Sequence, residues 1–203
     1  TNLIGLPDLS GTGNIAAFTT NSGSNLPIVS VFTVTPMSNT CTGVTRTFSI
    51  LVNPIPSVNP TASVTYCNGT AAAIIFTGSN VPGTQYQWTN TRTSIGLAAA
   101  GSSANNPFIA TNSSNIPVTA NILVTPVSNS CAGTPNSFTI TVNPSPSVLA
   151  VPDQAVCNGN LVQAISFGGS PIVGTSYQWV RTNIPIGSIP LSGTGDITAF
   201  TGK

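Results

Sequence analysis

The sequence predicts an all-β fold. Seventeen Pro and nineteen Gly residues interrupt every long segment of the 203-residue chain, and both residue types break helices. Strong helix formers are scarce, with a single Lys and no Glu. Short runs rich in Thr, Val, Ile and Phe, such as residues 48–52 and 138–142, are each stopped by Asn-Pro. Their period-two alternation is typical of strands.

The second main feature is a repeat of about 90 residues. Cysteines, an aromatic triplet and a Thr-Pro-x-Ser-Asn-x-Cys motif all return at this spacing: Cys41 as Cys131, Cys67 as Cys157, 35–41 as 125–131, and 86–88 as 177–179. A period of this length corresponds to one small domain rather than to a turn of a solenoid.

Division after each Val-Asn-Pro-x-Pro segment predicts three parts. Residues 1–56 form the C-terminal part of one repeat, residues 57–146 a complete repeat, and residues 147–203 the N-terminal part of the next. The linkers at 54–56 and 144–146 are short and stiff, because proline fixes φ and favours extended backbone. Such linkers between similar domains predict a semi-rigid rod.

The complete repeat contains seven predicted strands, taken in order along the chain. The first ends before the Asn-Gly turn at 68–69, the third carries Tyr86 and Trp88 on one face, and the last ends at Asn-Pro. Seven short strands with a single Trp in the third strand favour an immunoglobulin-like β-sandwich. The predicted strands are 61–66, 71–77, 84–89, 93–98, 107–111, 117–125 and 136–142.

Charge and composition argue against several functional classes. Only 3% of the residues are charged, there is no His, and the only carboxylate side chains are Asp8, Asp153 and Asp196. Acid–base catalysis therefore lacks its usual groups, and we expect no enzyme activity and no cofactor. Four scattered cations do not form a nucleic-acid surface. No apolar run reaches the roughly 18–20 residues of a membrane helix, so we expect no membrane insertion.

Four cysteines are candidates for structural disulfides: Cys41, Cys67, Cys131 and Cys157. Metal binding is disfavoured because there is no His and no Cys-x-x-Cys, and a nucleophilic Cys lacks an activating base. Pairing of Cys67 with Cys131 inside the complete repeat is the favoured arrangement. An immunoglobulin topology would place these two cysteines at opposite poles, beyond the roughly 7 Å that a bridge allows. Bridges between neighbouring domains or chains therefore remain an alternative.

Two aromatic pairs, Tyr86 with Trp88 and Tyr177 with Trp179, are candidates for the core or for sugar binding. Residues two apart on a strand share a face, and one such pair in each repeat favours the core of a sandwich. Stacking platforms for glycans are the alternative.

The repeat resembles the PKD-like or immunoglobulin-like repeats of giant secreted surface proteins of Bacteroidota. The matching segments are Cys-Asn-Gly at 67–69, Tyr-Gln-Trp at 86–88, residues 128–133 and residues 138–144, which recur in the partial copies. The resemblance implies an extracellular adhesin of the gliding or grappling-hook filament type, exported by type IX secretion. It implies surface or prey-cell glycans as binding partners.

The scarcity of charge leads to a functional hypothesis. Long free rods normally carry charge for solubility, and strand edges normally carry Lys or Pro against sideways pairing. We therefore expect copies of the chain to associate laterally in a multi-chain filament, of which this segment is a structural shaft. The alternative is a direct glycan- or cell-binding module on a monomeric stalk, for which we would expect clustered aromatic residues in the loops. The loops at 101–106 and 112–115 carry none.

Overall fold

The computed structural model describes residues 4–182 and 186–203. Within these residues the chain is nearly all-β, which confirms the predicted class, and its one helical element is the 3-10 turn Thr93–Ile95. The strands are β1 (Ile28–Val34), β2 (Met37–Ser38), β3 (Cys41–Thr42), β4 (Arg46–Val52), β5 (Val64–Cys67), β6 (Ala71–Ile75), β7 (Gln85–Asn90), β8 (Ala100–Gly101), β9 (Asn105–Ile109), β10 (Val118–Ser128), β11 (Cys131–Ala132), β12 (Asn136–Asn143), β13 (Leu161–Val162), β14 (Gln178–Val180), β15 (Ser192–Thr194) and β16 (Phe200–Thr201).

The strands between β5 and β12 form two sheets. The larger has the order β5-β12-β10-β7-β8, with β11 paired to the end of β10 as a hairpin. All of its pairs are antiparallel except β5, which runs parallel to β12. The smaller sheet pairs β6 with β9.

Side chains from both sheets meet in one core, an arrangement consistent with a β-sandwich. In β10, alternate residues Ala120, Ile122 and Val124 are fully buried, as the period-two pattern requires. The remaining core residues come from β6, β7, β12 and the segments that follow β6, β7 and β9: Ile74, Phe76, Tyr86, Trp88, Ile95, Leu97, Ala110, Phe138, Ile140 and Val142.

The strands before and after these sheets pair in the same registers, displaced by about 90 residues. The β1–β4 pair matches Phe32 to Phe48, as β10 and β12 match Ile122 to Phe138. The β13–β16 pair matches Val162 to Phe200, which corresponds to Ala72 opposite Phe108 in β6 and β9.

The predicted strand at 93–98 is wrong. Thr93–Ile95 is a 3-10 turn, and Gly96 follows it with a φ of 90°. Side chains rarely adopt this φ, and a β-carbon at Gly96 would lie 2.0 Å from the carbonyl oxygen of Ile109. The glycine therefore allows the turn to close against the end of β9, where extended backbone was expected.

The first predicted strand, 61–66, begins later than expected. Before Val64 the chain lies beside the residues that follow β6, where the Asn59 N–H donates to the Thr77 carbonyl oxygen at 2.8 Å. From Val64 onwards the chain pairs with β12. The segment thus passes from the smaller sheet to the larger one. Pro60 lies just before this change of sheet and has no N–H to donate to a neighbouring strand.

Candidate functional site

Tyr86 and Trp88 lie on the inner face of β7. Trp88 is 4% exposed, and its indole Nε1 donates to Oδ1 of Asn106 at 3.0 Å. The Tyr86 hydroxyl accepts from the backbone N–H of Ser79 at 3.2 Å. The Trp88 ring lies against Gly101, where a β-carbon would come within 2.6 Å of the ring. Both aromatic rings are therefore part of the core, and neither offers a face to a sugar.

Tyr177 and Trp179 repeat this local arrangement with less cover. The Tyr177 hydroxyl accepts from the Ser170 N–H at 3.2 Å, and Trp179 lies against Gly193. Both aromatic residues are partly exposed. The Trp179 Nε1 is buried and has no hydrogen-bond partner among the described residues. Phe200 corresponds to Phe108, so the residue that corresponds to Asn106, the partner of the Trp88 indole, is Thr198.

Asn106 is a residue that sequence reasoning missed. It occupies β9 two positions before Phe108, and its amide Nδ2 also donates to the Ser103 carbonyl oxygen at 2.8 Å. A buried indole N–H needs a partner. The sequence contained one indication of this role: Asn106 falls at a core-facing position of a strand, where an apolar residue would be expected.

Asn112 was also missed, although both its backbone N–H and its side chain are hydrogen-bonded. Its Nδ2 donates to the carbonyl oxygens of Val142 at 2.7 Å and Ile116 at 2.9 Å, and its N–H donates to Oδ1 of Asn68 at 2.8 Å. Its Oδ1 accepts from the N–H and hydroxyl of Ser114. Asn112 therefore ties the loop after β9 to the end of β12.

None of the four cysteines is bonded to another cysteine of the chain in this structure. Cys41, Cys67 and Cys157 are exposed, and Cys131 is partly buried. Cys41 and Cys131 occupy the same position in two hairpins, each following a non-glycine turn with positive φ, at residues 39–40 and 129–130.

The favoured pairing of Cys67 with Cys131 is wrong. Cys67 lies opposite Asn143, the last residue of β12. Cys131 pairs with Ser128 of β10 and lies beyond the other end of β12, which begins at Asn136. The seven residue steps of β12 span roughly 23 Å at about 3.3 Å per residue. This distance is well beyond the roughly 7 Å between α-carbons that a disulfide tolerates.

The linker at residues 53–56 is packed against the turn between β10 and β11. Nδ2 of Asn53 donates to the Asn129 carbonyl oxygen at 3.3 Å. Pro54 and Pro56 are buried, and a β-carbon at Gly133 would lie 1.9 Å from the Pro56 carbonyl oxygen. The glycine thus permits close contact between the linker and the hairpin.

The outer surfaces of the two sheets are almost without charge. Residues 57–146 contain one charged side chain, Arg92. The outer face of β6 and β9 is apolar apart from Asn105, and all of its side chains are exposed: Ala71, Ala73, Ile75, Asn105, Pro107 and Ile109. On the larger sheet, Gln87, Thr89 and Thr125 line a shallow groove of about 630 Å³.

Metal ligands and membrane-spanning helices concern the part of the chain that the structure describes, residues 4–182 and 186–203. No three His, Cys, Asp or Glu side chains of this part are grouped in a way that suits a metal ion. Nor does this part contain a helix with the length and apolar character needed to cross a membrane.

No protein-family model matches the chain, and no curated protein matches it.

Proposed function

We propose that this chain is a segment of tandem immunoglobulin-like, PKD-like repeats that forms the shaft of an extracellular adhesive filament. In this filament, chains associate side by side. The observation that carries the proposal is the outer face of β6 and β9, which is apolar and exposed on a unit with one charged side chain in 90 residues.

The repeat arrangement is supported by the matching registers. The Phe32–Phe48 and Ile122–Phe138 pairs occupy corresponding places 90 residues apart. The strand order β5-β12-β10-β7-β8 opposite β6-β9, with Trp88 in the third strand of these sheets, supports an immunoglobulin-like sandwich.

Side-by-side association is supported by the chemistry of the exposed face. Ile75 and Ile109 are 62% and 54% exposed, and neighbouring Ala71 and Ala73 leave the face flat. Contact with a second copy would remove this apolar area from water, which stabilises by about 25 cal/mol per Å² buried. Because the chain has so few charged side chains, there is little electrostatic repulsion to keep neighbouring copies apart.

The shaft role is favoured over direct binding because Trp88 and Tyr86 are buried. The groove beside Gln87 and Thr89 supports the second candidate, a glycan-binding module, since hydroxyl and amide groups can bond sugar hydroxyls. Retention of the soluble chain on immobilised glycans, abolished by Gln87→Ala, would favour this candidate instead. The extracellular location rests on the resemblance of the repeats.

Electron microscopy of native fibres shed from the producing cells tests the proposal. Cross-sections averaged for rotational symmetry should contain a fixed number of chains around a common axis. Single beaded threads would contradict side-by-side association.

A variant pair tests which face is used. Ile75→Lys with Ile109→Lys should abolish lateral association in sedimentation experiments, because two charges then lie in the contact. The matched control, Gln87→Lys with Thr89→Lys, places the same charges on the outer face of the other sheet and should leave association unchanged. Equal loss in both pairs would refute the assignment of the β6–β9 face.

A further inference from the structure

Strand β6 is an open edge of the smaller sheet. It pairs with β9 on one side, and no described strand pairs with it on the other side. Its sequence, Ala-Ala-Ala-Ile-Ile, contains neither a charged residue nor a proline. Charged side chains and prolines are the residues that usually prevent an edge strand from pairing with another chain. The β6 edge therefore lacks the usual protection.

The hydrogen bonds at the two ends of the β6–β9 ladder show which backbone groups of β6 are free. At one end the Ala110 N–H donates to the Thr70 carbonyl oxygen at 2.9 Å, and at the other the Phe76 N–H donates to the Ala104 carbonyl oxygen at 2.8 Å. Hydrogen-bonded pairs alternate with non-hydrogen-bonded pairs along an antiparallel ladder. Between these ends, the residues that turn their N–H and C=O groups away from β9, without a described partner, are Ala71, Ala73 and Ile75.

The other edge of the same sheet is protected. On β9, Pro107 lies directly opposite Ala73, and proline has no N–H to offer to a further strand. Near the end of β9, the chain at Gly96 approaches so closely that a β-carbon there would lie 2.0 Å from the Ile109 carbonyl oxygen. Of the two edges, only that of β6 is therefore free to accept a strand.

A second copy of β6 is complementary to this edge. When two copies run antiparallel about a two-fold axis at Ala73, each Ala73 lies opposite its counterpart and each Ala71 lies opposite Ile75 of the other copy. Every one of these pairs places N–H groups against C=O groups and can exchange two hydrogen bonds, so the partial charges match. The small Ala71 leaves room for the larger Ile75 beside it. The net charge of +1 gives little repulsion between copies.

We propose that two copies of the chain pair through their β6 edges, antiparallel and centred on Ala73. Two two-stranded sheets then become one four-stranded sheet with the order β9-β6-β6-β9. The contact is isologous, because both copies use the same residues. The inference rests on the association of copies in the proposed function and adds its geometry: the outer apolar face, with Ile75 and Ile109, becomes twice as wide in the pair.

Disulfide cross-linking tests the register. In a chain whose four cysteines are replaced by Ser, Ala73→Cys places two thiols at the two-fold axis. The α-carbons of a hydrogen-bonded pair are about 5.5 Å apart, which suits a disulfide. Oxidation by air with copper phenanthroline should therefore give a covalent dimer on a non-reducing gel.

Ala71→Cys is the matched control, because Ala71 is an exposed alanine of the same strand. In the proposed register it lies opposite Ile75 of the other copy. The two introduced thiols are then about 13 Å apart along the strands, at about 3.3 Å per residue, and should give no dimer. A dimer from Ala71→Cys but not from Ala73→Cys would overturn the antiparallel register, and monomers from both would overturn the pairing.

A proline substitution tests the backbone contact. Ala73→Pro removes an N–H that points away from β9, so the β6–β9 ladder keeps its bonds, as it does with Pro107 across from it. Ala73→Val is the matched control, since it keeps the N–H. Both chains also carry Asn105→Lys and Ile109→Lys, which place charges on the exposed face at β9, away from the β6 edge.

Sedimentation equilibrium should find pairs of the 20.5 kDa chain for the Val variant and half that mass for the Pro variant. Equal masses would overturn the proposal. The cross-linking result does not require the Pro variant to fold.

The same measurements separate this inference from the proposed function. Without the two lysines, association through the apolar face should give species larger than pairs. If that chain stops at pairs and Ala73→Cys forms a covalent dimer, the edge pairing is supported and the face contact is refuted. Large species without a covalent dimer from Ala73→Cys would refute the edge pairing and leave the face contact supported.

Discussion

Replacement of Asn106 by Thr tests how the unit of residues 57–146 holds the buried indole of Trp88. The substitution copies the residue found at position 198. It removes the acceptor of the Trp88 Nε1 bond at 3.0 Å and the amide that donates to Ser103 at 2.8 Å. A buried donor left without a partner costs about 1–3 kcal/mol, and the second bond contributes about 1 kcal/mol. We therefore expect the free energy of unfolding to fall by about 2–4 kcal/mol.

Urea unfolding followed by tryptophan fluorescence measures this loss. The chain has two Trp residues, so a Trp179→Phe background makes Trp88 the only reporter. With an m-value of about 1–3 kcal/mol/M for a small domain, the midpoint should fall by about 1 M or more.

Asn105→Thr is the matched control, because Asn105 lies next to Asn106 on β9 with its side chain exposed. Its effect should stay within about 0.5 kcal/mol. If the Asn106 and Asn105 variants lose the same stability, the indole hydrogen bond does not stabilise the unit and the reasoning is refuted.

Three further predictions concern the same unit, each measured by urea unfolding unless stated. Phe138→Ala should cost about 3–5 kcal/mol, because it removes a buried ring from the core; a loss below 1 kcal/mol would contradict the core assignment. Asn112→Ala should cost about 2–4 kcal/mol, since two carbonyl oxygens lose their donor; a neutral result would show that water replaces the amide. Gly133→Ala should displace the Pro56 carbonyl and accelerate amide hydrogen exchange at Asn53 and Ile55. Gly168→Ala, whose added β-carbon would meet no neighbour, should leave this exchange unchanged. Unchanged exchange in both variants would mean that the linker contact is not needed.

The sequence predicted much of the fold because its strands obey simple alternation. Residues 118–124 of β10 and 138–142 of β12 place apolar residues at every second position. The two errors came from backbone effects that side-chain patterns do not contain. Gly96 permits a left-handed turn, and the segment before Val64 changes its partner strand.

The polar contacts of the interior were harder to predict. Asn106 and Asn112 are two of the 21 Asn residues of the chain, and only the fold shows that these two are buried. The prediction that Cys67 pairs with Cys131 was wrong for a similar reason. Spacing along the chain placed Cys67 and Cys131 in one unit, but the direction of β12 separates them.

The parallel pairing of β5 with β12 has a mechanical consequence. The chain enters the unit near β5 and leaves through β12, and four residue pairs join these strands, from Val64–Ile140 to Cys67–Asn143. A tensile force applied through the two linkers pulls parallel neighbours in opposite directions along their common axis. The hydrogen bonds between them are then loaded in shear and must rupture together, whereas a hairpin pulled at its open end unzips one bond at a time. The packed linker at 53–56 adds little slack, so stretching would be resisted by the sheet itself.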